Sequence, residues 1–194
     1  ESDGAAITMT IVETDRISAV EQSATPGGDG SSLIVDVLAN AVFDLATNPS
    51  VASLNLVVTE SPDIIPPFIT GASLNYDVGM ITFTTSERID VTPSNGIDMS
   101  KFFIANTNGG NTIALNAAQL QTANDATTIS IKISEASRAL AIAISAMPGG
   151  DGVTAFLDVS AAFMHDIGLV NNLLQNGIVL SETPDITPPN FVSG

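Results

Sequence analysis

The chain has no cysteine, no tryptophan, one histidine and one tyrosine, and only five lysines and arginines among 194 residues. Each shortage excludes a class of chemistry. Without thiols there is no disulfide framework, no thiol nucleophile and no cysteine-bound zinc. Five scattered cations are too few to track a phosphate backbone or to dock on anionic lipid, so nucleic acid is not expected as a partner. The longest apolar run, residues 139–144, falls far short of the roughly 20 residues of a helical membrane span, so no membrane insertion is expected. No basic segment precedes an apolar stretch at the start, so any secretory leader is expected to be already removed or to lie upstream.

What remains is acidic and apolar. Twenty-one Asp and Glu set the net charge at −16, while 44% of the residues are hydrophobic, enough to fill a packed core.

Laid on itself, the chain repeats with an offset of 122 residues. Ser23-Ala24-Thr25-Pro26-Gly27-Gly28-Asp29-Gly30 returns as Ser145-Ala146-Met147-Pro148-Gly149-Gly150-Asp151-Gly152. Glu60-Ser61-Pro62-Asp63-Ile64-Ile65-Pro66-Pro67 returns as Glu182-Thr183-Pro184-Asp185-Ile186-Thr187-Pro188-Pro189. Between residues 1–67 and 123–189, 24 positions are identical without a gap, among them Ile7/Ile129, Glu13/Glu135, Arg16/Arg138, Asp36/Asp158 and Asp44/Asp166. The organisation expected from this offset is the second half of a repeat at 1–66, a complete repeat at 67–188 and the start of a next repeat or a tail at 189–194. A half-unit cannot close a core alone, so its strands are expected to find partners in upstream chain or in a neighbouring molecule. A segment of a tandem array is the preferred reading over strand exchange.

The complete unit reads as short strands separated by turn chemistry, the pattern of a β-sandwich. Strands are expected over 69–74, 80–85, 102–105, 112–115, 127–133, 153–159 and 177–181. Turns are expected at Tyr76-Asp77-Val78-Gly79, Pro93-Ser94-Asn95-Gly96 and Asn108-Gly109-Gly110-Asn111. Residues 134–146 depart from alternation: apolar positions 139, 140, 143 and 144 have helical spacing and Pro148-Gly149 ends the run, which predicts a short helical crossover. The equivalent stretch at 12–24 is more polar, and a strand there stays open.

The junction Pro184-Asp185-Ile186-Thr187-Pro188-Pro189, the strand end Phe83-Thr84-Thr85-Ser86-Glu87, and the loop Asp166-Ile167-Gly168 with Asn171 are together similar to features of the Ig-like repeats of large bacterial surface-layer and adhesin proteins. Similar arrays occur in protist surface proteins, including fibre-forming flagellar-hair types. The resemblance implies an all-β chain of tandem Ig-like β-sandwich repeats, extracellular or on the cell surface. Val58-Thr59-Glu60-Ser61-Pro62-Asp63 and Leu180-Ser181-Glu182-Thr183-Pro184-Asp185 also resemble the calcium-binding linker of cadherin-type repeats, although that linker carries more Asp and Asn.

Calcium is the one cofactor with a physical case, since it takes six to eight oxygen ligands and suits secreted modules. Its candidate ligands are Glu60, Asp63, Glu182 and Asp185 at the junctions, and Asp29 and Asp151 in the glycine-rich turns. The competing reading makes these prolines rigid turns and these carboxylates backbone caps. Pro26-Gly27-Gly28-Asp29-Gly30 lacks the Lys and Ser/Thr of a phosphate loop and is expected to be a hairpin-type turn. His165 has Phe43 as its equivalent, so it reads as a loop residue. Ser23 and Ser145 recur without a general base. Glu13/Arg16 and Glu135/Arg138 recur three residues apart and read as local ion pairs. Asn48-Pro49-Ser50 is barred from N-glycosylation by its proline.

The expectation is a non-enzymatic structural subunit of an extracellular filament, stalk or cell-surface layer, with itself or tandem neighbours as partner. The alternatives are spacer repeats of a calcium-stiffened adhesin, or a noncatalytic module binding surface glycans, against which the scarcity of aromatics weighs.

Overall fold

Side-chain alternation marks the strands around residues 80–85 and 129–132, and the chain divides into two units, Glu1–Ile64 and Ile65–Gly194. The computed structural model describes residues 6–23, 27–92 and 96–189. Ala24, Thr25 and Pro26 of the first glycine-rich turn, the expected turn residues Pro93, Ser94 and Asn95, and residues 190–194 of the expected third segment lie outside the described residues.

The shorter unit contains helix α1 (Glu13–Ser23) and strands β1 (Ile34–Val37) and β2 (Ser53–Val57). The strands pair antiparallel, Ile34 opposite Val57, Val35 opposite Leu56 and Val37 opposite Ser53. The stretch whose polarity left a strand open is thus helical. Among the described residues of this unit, Ile17 is the one buried large apolar side chain.

The longer unit is mostly β. In chain order it runs β3 (Ile69–Asn75), β4 (Met80–Ile89), β5 (Phe102–Ala105), β6 (Ile113–Ala114), β7 (Gln119–Leu120), β8 (Ala126–Lys132), helix α2 (Glu135–Ile144), β9 (Phe156–Val159) and β10 (Gln175–Thr183). These strands form one curled eight-stranded sheet in the order β6-β5-β9-β10-β3-β4-β8-β7. The curl originates in β10. Residues 175–179 pair antiparallel with β9, and residues 180–183 pair parallel with β3, so one strand serves both halves of the sheet. Its register slips between Gln175 and Ile178, where Gly177 has φ +72° and an added methyl would strike Asn108. The angle favours glycine and the close approach to Asn108 requires it.

The core lies inside the curl. Phe83 on β4, Phe102 on β5 and Phe163 form an aromatic cluster, with Phe102 and Phe163 stacked at 4.7 Å and Phe83 tilted at 6.0 Å from each. Ile81, Ile129 and Ile131 from one half of the sheet and Ile104, Leu157 and Val159 from the other complete it, all fully buried. Burying side chains of this size contributes roughly 1.5–3 kcal/mol each. Helix α2 starts where the Ser134 hydroxyl accepts from the Ser137 amide, an N-cap.

Backbone features return at the 122-residue spacing. The pairs Phe156–Val179, Leu157–Ile178 and Val159–Gln175 of β9 and β10 match the three pairs of β1 and β2 one for one. Left-handed backbone angles occur at Asp29 and Asp151, Asn40 and Ala162, Thr47 and Leu169, and Asn55 and Gly177. Such angles are costly outside glycine, and four such pairs trace the same path twice.

Candidate functional site

The side chains that recur at this spacing build the candidate site, at the end of each unit where helix, glycine-rich turn and proline junction meet. In α1, Glu13 accepts two hydrogen bonds from Arg16, at 2.8 and 2.9 Å, and the third guanidinium nitrogen of Arg16 donates to Asp63. In α2, Glu135 accepts from Arg138 at 2.8 and 2.7 Å, and Arg138 also donates to Asp185 and to the Tyr76 carbonyl. The i,i+3 ion pairs match the sequence reading. The reach of each arginine to an aspartate 47 residues on does not appear in any local spacing. The planar guanidinium can grip one carboxylate with two N–H groups and still donate to a second, a fork geometry that the lysine ammonium lacks.

This clasp fixes the junction. The Asp63 amide donates to the Gly27 carbonyl and the Asp185 amide to the Gly149 carbonyl, both at 2.7 Å. The glycine-rich segments therefore lead from helix to strand and hold the proline junction. They are not the hairpin-type turns expected from sequence, because the chain arrives in them from a helix. Arg138 holds the carboxyls of Glu135 and Asp185 below the usual carboxylate range, through its hydrogen bonds first of all.

Each of the junction carboxylates named as a candidate calcium ligand has a protein donor. Glu60 accepts from the Leu33 amide at 2.9 Å and Glu182 from the Ala155 amide at 3.1 Å, again a matched pair. Asp63 and Asp185 take the arginines. Asp29 and Asp151 occupy left-handed positions in the glycine-rich turns. The structure brings two of the six together in the shorter unit: Asp29 and Glu60 both line an open cleft of about 250 Å³.

Sequence alone marks Tyr76 only as a turn residue. It is fully buried, and its hydroxyl donates to Glu182. Burial, and then the hydrogen bond and charge of Glu182, raise its pKa far above that of a free tyrosine. Its ring lies against Gly150, where an added methyl would collide with it and φ is +92°. The one tyrosine of the chain is thus no exposed platform for a sugar ring.

Asp158 is also fully buried, and its carboxylate accepts the amides of Gly177 at 2.7 Å and of Gly109 and Asn111 at 3.2 Å. Three backbone donors are what makes burial of a carboxylate tolerable. Its equivalent Asp36 is exposed and accepts the Asn55 amide at 2.8 Å. His165 sits in a short bridge with Asn171, its Nδ1 3.8 Å from Asp90. Ser23 and Ser145 are buried; Ser23 accepts the Gly30 amide, and Ser145 donates to the Ile142 carbonyl at the end of α2.

No family model matches the chain, and no curated protein or solved structure matches it.

Proposed function

We propose that this chain is a structural, non-catalytic module of an extracellular filament, stalk or cell-surface layer, assembled from tandem Ig-like units of 122 residues with itself or its tandem neighbours as partner. One observation carries the reading: the same strand register, left-handed positions, Arg–carboxylate clasp and Glu–amide bond stand 122 residues apart. Such recurrence concerns backbone path and junction geometry, which is what a stacked array must repeat. In each unit the clasp ties the proline junction to the helix behind it, and the acidic surface keeps neighbouring strands of an array apart. Among the described residues no helix is long and apolar enough to cross a membrane.

Electron microscopy of the purified protein, with and without a calcium chelator, tests this. Regular filaments support the reading. Separate particles overturn the filament and favour a spacer in an adhesin. Filaments that lose straightness in chelator assign junction stiffness to a cation near Glu60, Asp63, Glu182 and Asp185. Filaments that keep it assign stiffness to the arginine clasp.

A further inference from the structure

The shorter unit carries the apolar face of a core without the core. Ile7 is 66% exposed and Met9 80%, while their equivalents Ile129 and Ile131 on β8 are fully buried. Val35 is 45% exposed, and its equivalent Leu157 on β9 is fully buried. What covers Ile129, Ile131 and Leu157 in the longer unit includes β3 to β6, with Ile81, Phe83, Phe102 and Ile104 in the same cluster. At an offset of 122 the shorter unit corresponds to residues 123–186, and among its described residues no strand corresponds to β3 to β6.

Two polar positions say what the covering segment must bring. In the longer unit, Glu182 accepts the Tyr76 hydroxyl, and Asp151 also acts on that tyrosine electrostatically. Their equivalents are Glu60 and Asp29, which line the cleft formed by residues 29–32 and 58–60. One Glu60 oxygen takes the Leu33 amide; the other accepts no hydrogen bond among the described residues. The cleft thus stands at the position that the tyrosine socket holds in the longer unit. Likewise, of the three amides that Asp158 accepts, two come from Gly109 and Asn111, and only the third has its counterpart, Asn55, in the shorter unit.

We propose that the shorter unit is a docking surface for one occupant: a further copy of the half-unit spanning residues 67–122, whose tyrosine enters the cleft beside Asp29 and Glu60 and whose Gly-Gly-Asn turn donates to Asp36. This rests on the repeat reading above, but not on filament formation. The segment is recognised by its alternating apolar strands, by one buried phenol and by two turn amides. A generic apolar peptide lacks the last two.

The test is a fusion in which a second copy of residues 67–122 directly precedes Glu1 of the full chain, which continues the 122-residue spacing without a linker. Amide exchange is read at Ile7, Met9, Ile11 and Val35. The fusion is expected to slow exchange there by more than about a hundredfold, the difference between a frayed and a packed strand. A matching loss of protection is expected when the tyrosine of the added copy is changed to Ala. Unchanged exchange in a fusion whose residues 65–189 stay protected overturns the proposal, and so does equal protection by an added segment of scrambled order. If the fusion does not fold, a peptide of residues 69–89 is added to the full chain. Shifts of the Asp29 and Glu60 amide resonances that vanish with the Tyr76→Ala peptide support the socket; none at millimolar peptide overturns it. Microscopy without filaments would end the filament reading and leave this result standing.

Discussion

Tyr76 shows how much one side chain can tie together. Its amide donates to the Thr183 carbonyl, its carbonyl accepts from Arg138 and its hydroxyl bonds Glu182, so it joins the β3–β4 turn, helix α2 and the end of β10. Because its folded pKa is raised, its contribution to stability is fully present below the ordinary tyrosine pKa of about 10 and is lost as pH rises through the folded value. Alkaline titration should therefore show tyrosinate absorbance appearing together with unfolding, not before it. Tyr76→Phe should cost about 1–3 kcal/mol in denaturant melts, since it leaves the Glu182 carboxylate without that donor. Phe83→Ala, in the aromatic cluster, should cost about 3–5 kcal/mol by the same measurement. Had pH dependence or stability been unchanged in Tyr76→Phe, the hydroxyl would be a passenger.

At the scale of elements, an arginine clasp holds each helix, and α2 has an N-cap as well. Ser134→Ala removes the N-cap of α2 and should lower stability by about 1 kcal/mol in thermal melts. The arginine clasp has its own signature. The carboxyls of Glu135 and Asp185 have lowered folded pKa values, so their contribution is present at neutral pH and is lost as pH falls below about 4. Arg138→Gln should flatten that acid limb of the melting curve, and an unaltered limb would place the dependence elsewhere. Much of this layer was legible in sequence. Alternation of Ile129, Ile131 and Ile133 marked β8, and apolar spacing marked α2. Strand β7 was not, because two residues cannot show a period. Helix α1 was ambiguous because only Ile17 faces a core in the described residues, so its apolar face is short. The tyrosine socket and the Asp158 nest were hidden for another reason: their partners lie 106 and 47 to 49 residues apart, beyond any local pattern. The 122-residue repeat singled out these carboxylates as recurring positions. It could not say that arginine and backbone amides hold them.

Over the whole molecule, the two units should differ in local stability. Amide exchange in the full chain should be slowest in β4, β8 and β9, which the core buries, and fast in β1 and β2, whose side chains are mostly exposed. Equal protection of both units would contradict the burial just described. The path of β10 has a further consequence. Strand β3 opens the longer unit and β10 closes it, and they run parallel where Ala72 to Asn75 pair with Leu180 to Thr183. A pull on the chain ends enters through the start of one strand and the end of the other. It therefore loads these hydrogen bonds in shear, all at once, where an antiparallel terminal pair would be peeled open bond by bond. Forced unfolding is governed by the unfolding barrier, and a shear-loaded clamp raises that barrier without changing the equilibrium stability. In single-molecule pulling, the longer unit should yield in one high-force event, and Ser181→Pro in the clamp should lower that force more than Phe83→Ala does.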